Sequence, residues 1–285
     1  MDMLILINPK LWISLAAMTG LLVGSFINVL VWRLPRMLRH EWESQAHLVL
    51  GQNHAVQAPL DLFTPASHCP SCAKPLRIRD LVPVLSFAWL KGRCAHCGAP
   101  IAWRYPMVEL AVAAVWAFCA AHWGMGLDAI AWAVFGSFLL ALSLIDIDTM
   151  LLPDTLTQGL LWTGLIASAS GLTGVLLTDS VWGAVCGYGF LWLVQAVFGL
   201  VTGQQGMGEG DFKLLAALGA WLGWLALPML ILLSSLLGML VAMILYWRGQ
   251  LKPGQAFPFG PYLALSGVLM AVLAPMWVFN HQVLY

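Results

Sequence analysis

Charge is what this chain has least of. Asp, Glu, Lys and Arg make up 9% of its residues and 61% are hydrophobic, whereas a soluble domain carries about 25% charged residues. Neither sign is in excess, with 13 Lys plus Arg against 13 Asp plus Glu. No arm or helix gathers base beyond that balance, which excludes a nucleic-acid-binding reading. Several catalytic signatures are also missing. There is no HExxH metalloprotease motif and no GxSxG elbow, and the glycine run at 206–210 lacks the Gly-Lys-Ser/Thr ending of a phosphate loop. No Gly-rich turn follows a strand in a dinucleotide-binding pattern. The first long apolar run, from Leu11 to Trp32, has no small-residue cleavage site and exceeds the length of a signal-peptide core, so it is expected to stay as a span.

What the chain has instead is repeated apolar runs of membrane-crossing length. They predict an all-α polytopic membrane protein with about eight spans, at 11–31, 105–122, 127–145, 156–173, 179–202, 212–224, 226–247 and 258–279. The run at 212–224 is short, and a re-entrant hairpin there is the alternative. Three parts follow: residues 1–31 as a first helix with its lead-in, 32–104 as a polar insert, and 105–285 as a seven-helix core. Nine of the bases fall in the insert: Arg33, Arg36, Arg39, Lys74, Arg77, Arg79, Lys91, Arg93 and Arg104. By the positive-inside rule the insert faces the cytoplasm, with 146–155, 203–211 and 248–257, and both termini lie outside.

The insert holds "CPSC" at 69–72 and "CAHC" at 94–97, two Cys-x2-Cys knuckles separated by 21 residues. Thiolates of Cys69, Cys72, Cys94 and Cys97 at this spacing are expected to close tetrahedrally around structural Zn²⁺. A reducing cytoplasm argues against disulfides, and a site with four thiolates has no open position for hydrolysis. His68 and His96 are expected to be neighbours rather than ligands. Cys119 and Cys186 lie in apolar spans as packing residues.

Acids are scarce, yet "DIDTMLLPD" at 146–154 places three together at the end of an apolar run. A second group, "GMGEGDFK" at 206–213, puts Asp211 where the next helix begins. Asp146 ends a helix and Asp211 starts one, so both can occupy one cytosolic depth despite 64 intervening positions. Two carboxylates a few Å apart share a proton and can supply both the base and the acid of peptide hydrolysis. From these residues alone, catalysis, ion coordination or coupling, and a structural role all remain open, because intramembrane acids also mark ion pathways. Asp154 is expected to cap the following helix, Asp148 to solvate its loop, and Ser143 to pack within its helix.

Taken in order, "GSFINVLVWRLP" at 24–35, the two knuckles, "RYPMVE" at 104–109, "DIDTMLLPD", "GMGEGDFK" and "FPFGPYL" at 257–263 resemble the type IV prepilin peptidase and N-methyltransferase family of membrane aspartic proteases. The resemblance covers nearly the whole chain. It implies that Asp146 and Asp211 are the catalytic pair of an inner-membrane enzyme acting on type IV prepilins and type II secretion pseudopilins. Such enzymes remove the basic leader after a Gly at the cytoplasmic face, then methylate the new amino terminus with S-adenosylmethionine. The alternatives to this reading are a peptidase without methyltransferase activity, a cation-coupled transporter and a noncatalytic assembly factor.

For the methyl donor, the residues of interest are Gly24, Asn28, Arg33, Arg104 and Glu109. Close helix packing through Gly20, Gly24 and Ser25 is the plainer role for "GSFIN", and pairing with Arg33 or Arg104 is the plainer role for Glu109. Glu41, Glu43, Asp61, Asp80 and Glu209 are the acids available to a basic leader. "FPFGPYL" is expected to form a gate or wall beside the cleft.

Overall fold

The first helix shows how local chemistry sets the elements. Asn8 accepts a hydrogen bond from Lys10 N–H and Pro9 opens the helix, which suits a position whose N–H has no partner in any case. This helix, α1 (Pro9–Val49), runs for 41 residues. At 1.5 Å per residue it is about twice the thickness of a bilayer's hydrocarbon core. It therefore outlasts the expected span at 11–31: the stretch from Arg36 to His47 is rich in helix-forming polar residues and carries the helix onward.

The computed structural model describes residues 8–51, 61–204, 206–252, 255 and 257–273. After α1 come a 3-10 turn at Ile78–Leu81, then α2 (Leu85–Trp89), α3 (Arg104–His122), α4 (Leu127–Thr149), α5 (Asp154–Ala169), α6 (Leu177–Thr202), α7 (Glu209–Leu222), α8 (Leu227–Trp247) and α9 (Gly260–Leu273). The helices fall where the apolar runs do. Among the described residues, five are long and apolar enough to cross a membrane: α1, α3, α4, α6, and α8 with the 3-10 turn before it. The last part of the run expected at 258–279 and the lead-in before residue 8 lie outside the described residues. Among those described, only isolated bridges stand in for β-structure.

The chain forms two compact units, Met1–Ala133 and Val134–Tyr285. In the first, α1 and α3 pack closely because glycine removes the obstacle. A Cβ at Gly20 would lie 2.7 Å from Ala113 Cα, and one at Gly24 would lie 2.7 Å from Glu109 Cα. This four-residue glycine spacing lets two backbones approach as membrane helices do. At the other end of the pair, Trp12 Nε1 donates to Gly124 O at 2.9 Å.

The second unit is organised around α7. From Phe212 to Leu222 all but Lys213 are buried, with Leu214, Leu215, Ala217 and Leu218 fully enclosed. Trp221 donates Nε1–H to Leu160 O at 2.8 Å and packs on Phe135 with ring centroids 4.9 Å apart. α6 meets α7 through Gly183 and Gly219, and Ser180 Oγ donates to Ala220 O. With 14 residues, α7 reaches about 21 Å, short of a hydrocarbon core of about 30 Å. Its apolar run at 212–224 serves burial among protein helices, and the backbone turns at Gly223, φ +79°.

Candidate active site

Asp146 sits near the end of α4 and is 4% exposed. Its Oδ2 accepts the backbone N–H of Gly260 at 2.9 Å, in the first turn of α9. The helix leaves α4 through Met150, whose N–H bonds Asp146 O at 2.8 Å and whose φ is +54°. Residues 150–153 then carry Leu152 into the space that two glycines leave. A Cβ at Gly260 would stand 3.2 Å from Leu152 Cδ2, and one at Gly210 would stand 2.7 Å from Leu152 Cβ. Gly210 immediately precedes Asp211, so Leu152 touches the backbone beside both acids. Through Leu152, buried Asp146 and partly buried Asp211 are brought to one corner. Three helix ends thus converge, the C-terminus of α4 and the N-termini of α7 and α9. The positive ends of two helix dipoles stabilise negative charge in such a place.

The surroundings fix this corner from two further sides. Gln195 on α6 accepts N–H groups of Gly206 and Met207, both at 3.1 Å, and pins the glycine run before Asp211. Lys213 on α7 donates to both carboxylate oxygens of Asp154, at 2.7 and 2.8 Å. Asp154 opens α5 without a side-chain cap, so its role as a cap is replaced by this ion pair. Asp148 and Glu209 are exposed. Ser143 Oγ bonds Leu139 O within its own helix, as expected. Buried acid, second acid and hydrogen-bonded loop make a constellation suited to general acid-base chemistry on a peptide.

Sequence reasoning missed Gln195, Lys213 and the direct contact of Gly260. A lone Gln in an apolar helix was the available signal for the first. For Gly260, the Pro-Phe-Gly-Pro run marked a turn without revealing what the freed N–H would meet.

In the first unit the cysteines gather. Their four sulfur atoms lie within 4.8 Å of one another, and Cys69 Sγ and Cys97 Sγ are 3.8 Å apart. A tetrahedron with Zn–S bonds of about 2.3 Å has edges of about 3.8 Å, whereas a disulfide needs about 2.05 Å. The set fits a tetrahedral metal ion. Each knuckle is the same small hairpin: Cys69 N–H bonds Lys74 O as Cys94 N–H bonds Ala99 O, and Leu76 N–H bonds Ser67 O as Ile101 N–H bonds Gly92 O. The matching positions Ala73 and Gly98 both turn left-handed, at φ +56° and +71°. Backbone N–H groups of Cys72, chiefly, and Ser71 bring the Cys69 thiol down to about 6, while Cys97, crowded by the other thiols, is pushed up to about 11. His68 and His96 stand beside this cluster and outside its ligand set.

The residues considered for a methyl donor bind the unit together. Gly24 admits the backbone of α3. Asn28 Nδ2 donates to Tyr105 O at 3.1 Å, and buried Arg33 donates to Asp61 O at 2.9 Å and Pro65 O at 2.7 Å. Buried Glu109 accepts Val84 N–H at 2.7 Å and the Ser25 hydroxyl. Arg104 opens α3 and is exposed. Four of the five thereby help to join α1, α3 and the insert. Two leader-facing candidates are likewise engaged: Asp80 accepts Arg77 N–H, and Asp61 accepts the Thr64 hydroxyl and the N–H groups of Thr64 and Phe63. The Thr64 hydroxyl, first among these, holds the Asp61 carboxyl below the usual carboxylate range.

Comparison with known proteins agrees with this division. Residues 18–123 match the bacterial peptidase A24 N-terminal domain, and residues 133–243 match the type IV leader peptidase family. The prepilin leader peptidase/N-methyltransferase of Pseudomonas putida is 48% identical over 260 residues, 91% of this chain and 90% of that one. Its counterpart in Stutzerimonas stutzeri is 46% identical over 261 residues, with the same coverage. That of Dickeya chrysanthemi is 43% identical over 286 residues, 99% of this chain and 100% of that protein. No solved structure matches. From end to end, then, the chain belongs to the type IV leader peptidase family, among its prepilin leader peptidase/N-methyltransferases.

Proposed function

We propose that this protein removes the basic leader of type IV prepilins and type II secretion pseudopilins after a Gly, using Asp146 and Asp211, and then methylates the new amino terminus. The observation that carries the proposal is the convergence of α4, α7 and α9 on Leu152, with buried Asp146 held by Gly260 N–H. One carboxylate takes a proton from water as its oxygen attacks the scissile carbonyl carbon. The other, protonated, gives its proton to the carbonyl oxygen. Collapse of the tetrahedral intermediate breaks the C–N bond, and a proton returns to the departing amine. No covalent intermediate is required.

The topology that serves this chemistry has eight spans in a bacterial inner membrane, with residues 32–104 and the acids at the cytoplasmic face and both termini in the periplasm. Its support is the concentration of bases in the insert. The pilin's apolar helix stays in lipid while its leader lies across the surface. We assign Zn²⁺ to Cys69, Cys72, Cys94 and Cys97 as a structural ion that fastens the two knuckles of the insert, with 105–285 as the peptidase core. Methyl transfer from S-adenosylmethionine rests on the family. Gly24, Asn28, Arg33, Arg104 and Glu109 enter this reading as the residues proposed for the methyl-donor side. Nothing in the comparisons favours a transporter.

The test is mass spectrometry of a prepilin incubated with the purified protein in lipid, with and without S-adenosylmethionine. The leader is lost in both cases, and one methylene unit is gained only with the methyl donor. An intact prepilin would overturn the peptidase assignment, and cleavage without methylation would leave a peptidase alone.

A further inference from the structure

The short helix α2 is fastened to the start of the spanning helix α3 at two points. Val84 N–H, just before α2, donates to Glu109 Oε2 at 2.7 Å, and the Phe87 ring packs on Trp103 with centroids 4.7 Å apart. Val84 is a β-branched residue at φ +59°, a conformation that needs such a fastening to persist. Trp103 and Glu109 bracket the first turns of α3. In those turns Tyr105, Met107 and Leu110 already present exposed apolar surface, as a helix does where it enters lipid. α2 therefore lies at the depth at which α3 passes into the bilayer.

Its outward face fits that depth. Leu85 is 67% exposed, Trp89 87%, Trp103 72%, and Ile78 in the neighbouring 3-10 turn 88%. Among residues 68–104 the bases Lys74, Arg77, Arg79, Lys91, Arg93 and Arg104 face only one acid, Asp80. Trp and Leu side chains mixed with Lys and Arg suit the boundary between acyl chains and anionic headgroups: the rings and aliphatic groups enter it, and the cations stay at the phosphates.

We propose that Ile78, Leu85, Trp89 and Trp103 form a docking face for the anionic headgroup layer of the same bilayer that α1 and α3 cross. The contact reaches the cysteine knuckles through Gly92, which donates its N–H to Phe87 O at 2.9 Å and accepts that of Ile101 at 2.8 Å. The insert is thereby held at the membrane surface. Nothing in this depends on the peptidase assignment.

The full-length protein in nanodiscs tests it, because both bilayer faces are then accessible whichever way the protein is oriented. A phospholipid carrying a diazirine near its headgroup is photolysed, and adducts are mapped by peptide mass spectrometry; a water-soluble diazirine is used in parallel. In equimolar phosphatidylcholine and phosphatidylglycerol, residues 85–89 and Trp103 take up the lipid label as strongly as Met107 and Leu110. In phosphatidylcholine alone, or in the Arg77→Gln/Arg79→Gln variant, labelling of 85–89 falls severalfold while that of α3 is unchanged. Labelling of 85–89 by the water-soluble probe only would overturn the proposal, since the face would be open to water. Labelling by neither would also overturn it, since a second copy or another protein segment would cover the face. The wild-type result decides between these whatever the variant does, and its metal content reports whether the knuckles remain formed.

Discussion

The cysteine cluster and the acid pair are built in opposite ways. Cys69 to Cys97 occupy one short stretch that folds as two copies of a single hairpin, each closed by its own backbone hydrogen bonds. Asp146 and Asp211 are separated by 64 residues and depend on three helix ends reaching one corner of the second unit. The first site gathers four sulfur atoms from one stretch of chain, and four thiolates would leave a bound ion no open position. The second, as proposed, must admit a substrate that comes and goes, although Asp146 is buried and Asp211 partly buried. A local site tolerates change elsewhere in the chain, whereas an assembled one is vulnerable wherever a helix end is displaced.

Gly260 offers a sharp way to break the assembled site. A Cβ there would stand 2.7 Å from Asp146 Oδ2, a side-chain atom able to move, so Gly260→Ala is expected to fold while displacing the carboxylate. Misplacing a catalytic group by about 1 Å costs about 10²-fold in rate. Leader cleavage by the variant should fall on that order with insertion and metal content unchanged, and a wild-type rate would show that the Gly260 contact does not position the acid. Breaking the local site should have a different signature. Cys72→Ser is expected to empty the metal site, measured by elemental analysis, and to speed proteolysis within 61–103, because metal binding at such sites is folding free energy. Cleavage by the second unit should survive in part. Smallest is the effect at Lys213→Gln, which removes a partly exposed ion pair to Asp154. Such pairs contribute about 0.5 kcal/mol, so cleavage should change by about twofold.

Legibility in the sequence follows the same contrast. The knuckles were readable from spacing, because a hairpin of ten residues carries its whole geometry in its own order of Cys, Pro and Gly. Helices were readable from apolar runs, but α1 continued past its expected end at 31 because a helix does not stop where hydrophobicity stops. α7 read as a short span, and composition alone could not show that protein helices enclose its apolar faces. The meeting of Asp146 and Asp211 was open from their own residues, and the resemblance to a family singled them out. The partners that fix the corner are a backbone N–H at Gly260, an amide at Gln195 and an ammonium at Lys213. None carries a spacing that points to its acceptor, so these required the fold.

The central claim is that two acids in the second unit, and not the cysteine site, carry out hydrolysis. The most direct measurement is leader cleavage of one prepilin by wild type, Asp146→Asn and Asp211→Asn, each purified in lipid and shown to retain its metal. Each Asn variant should lose about 10²- to 10⁴-fold in cleavage rate, the usual contribution of a positioned acid or base, with the double variant scarcely worse than either single one. Cleavage by either single variant at the wild-type rate would contradict the account.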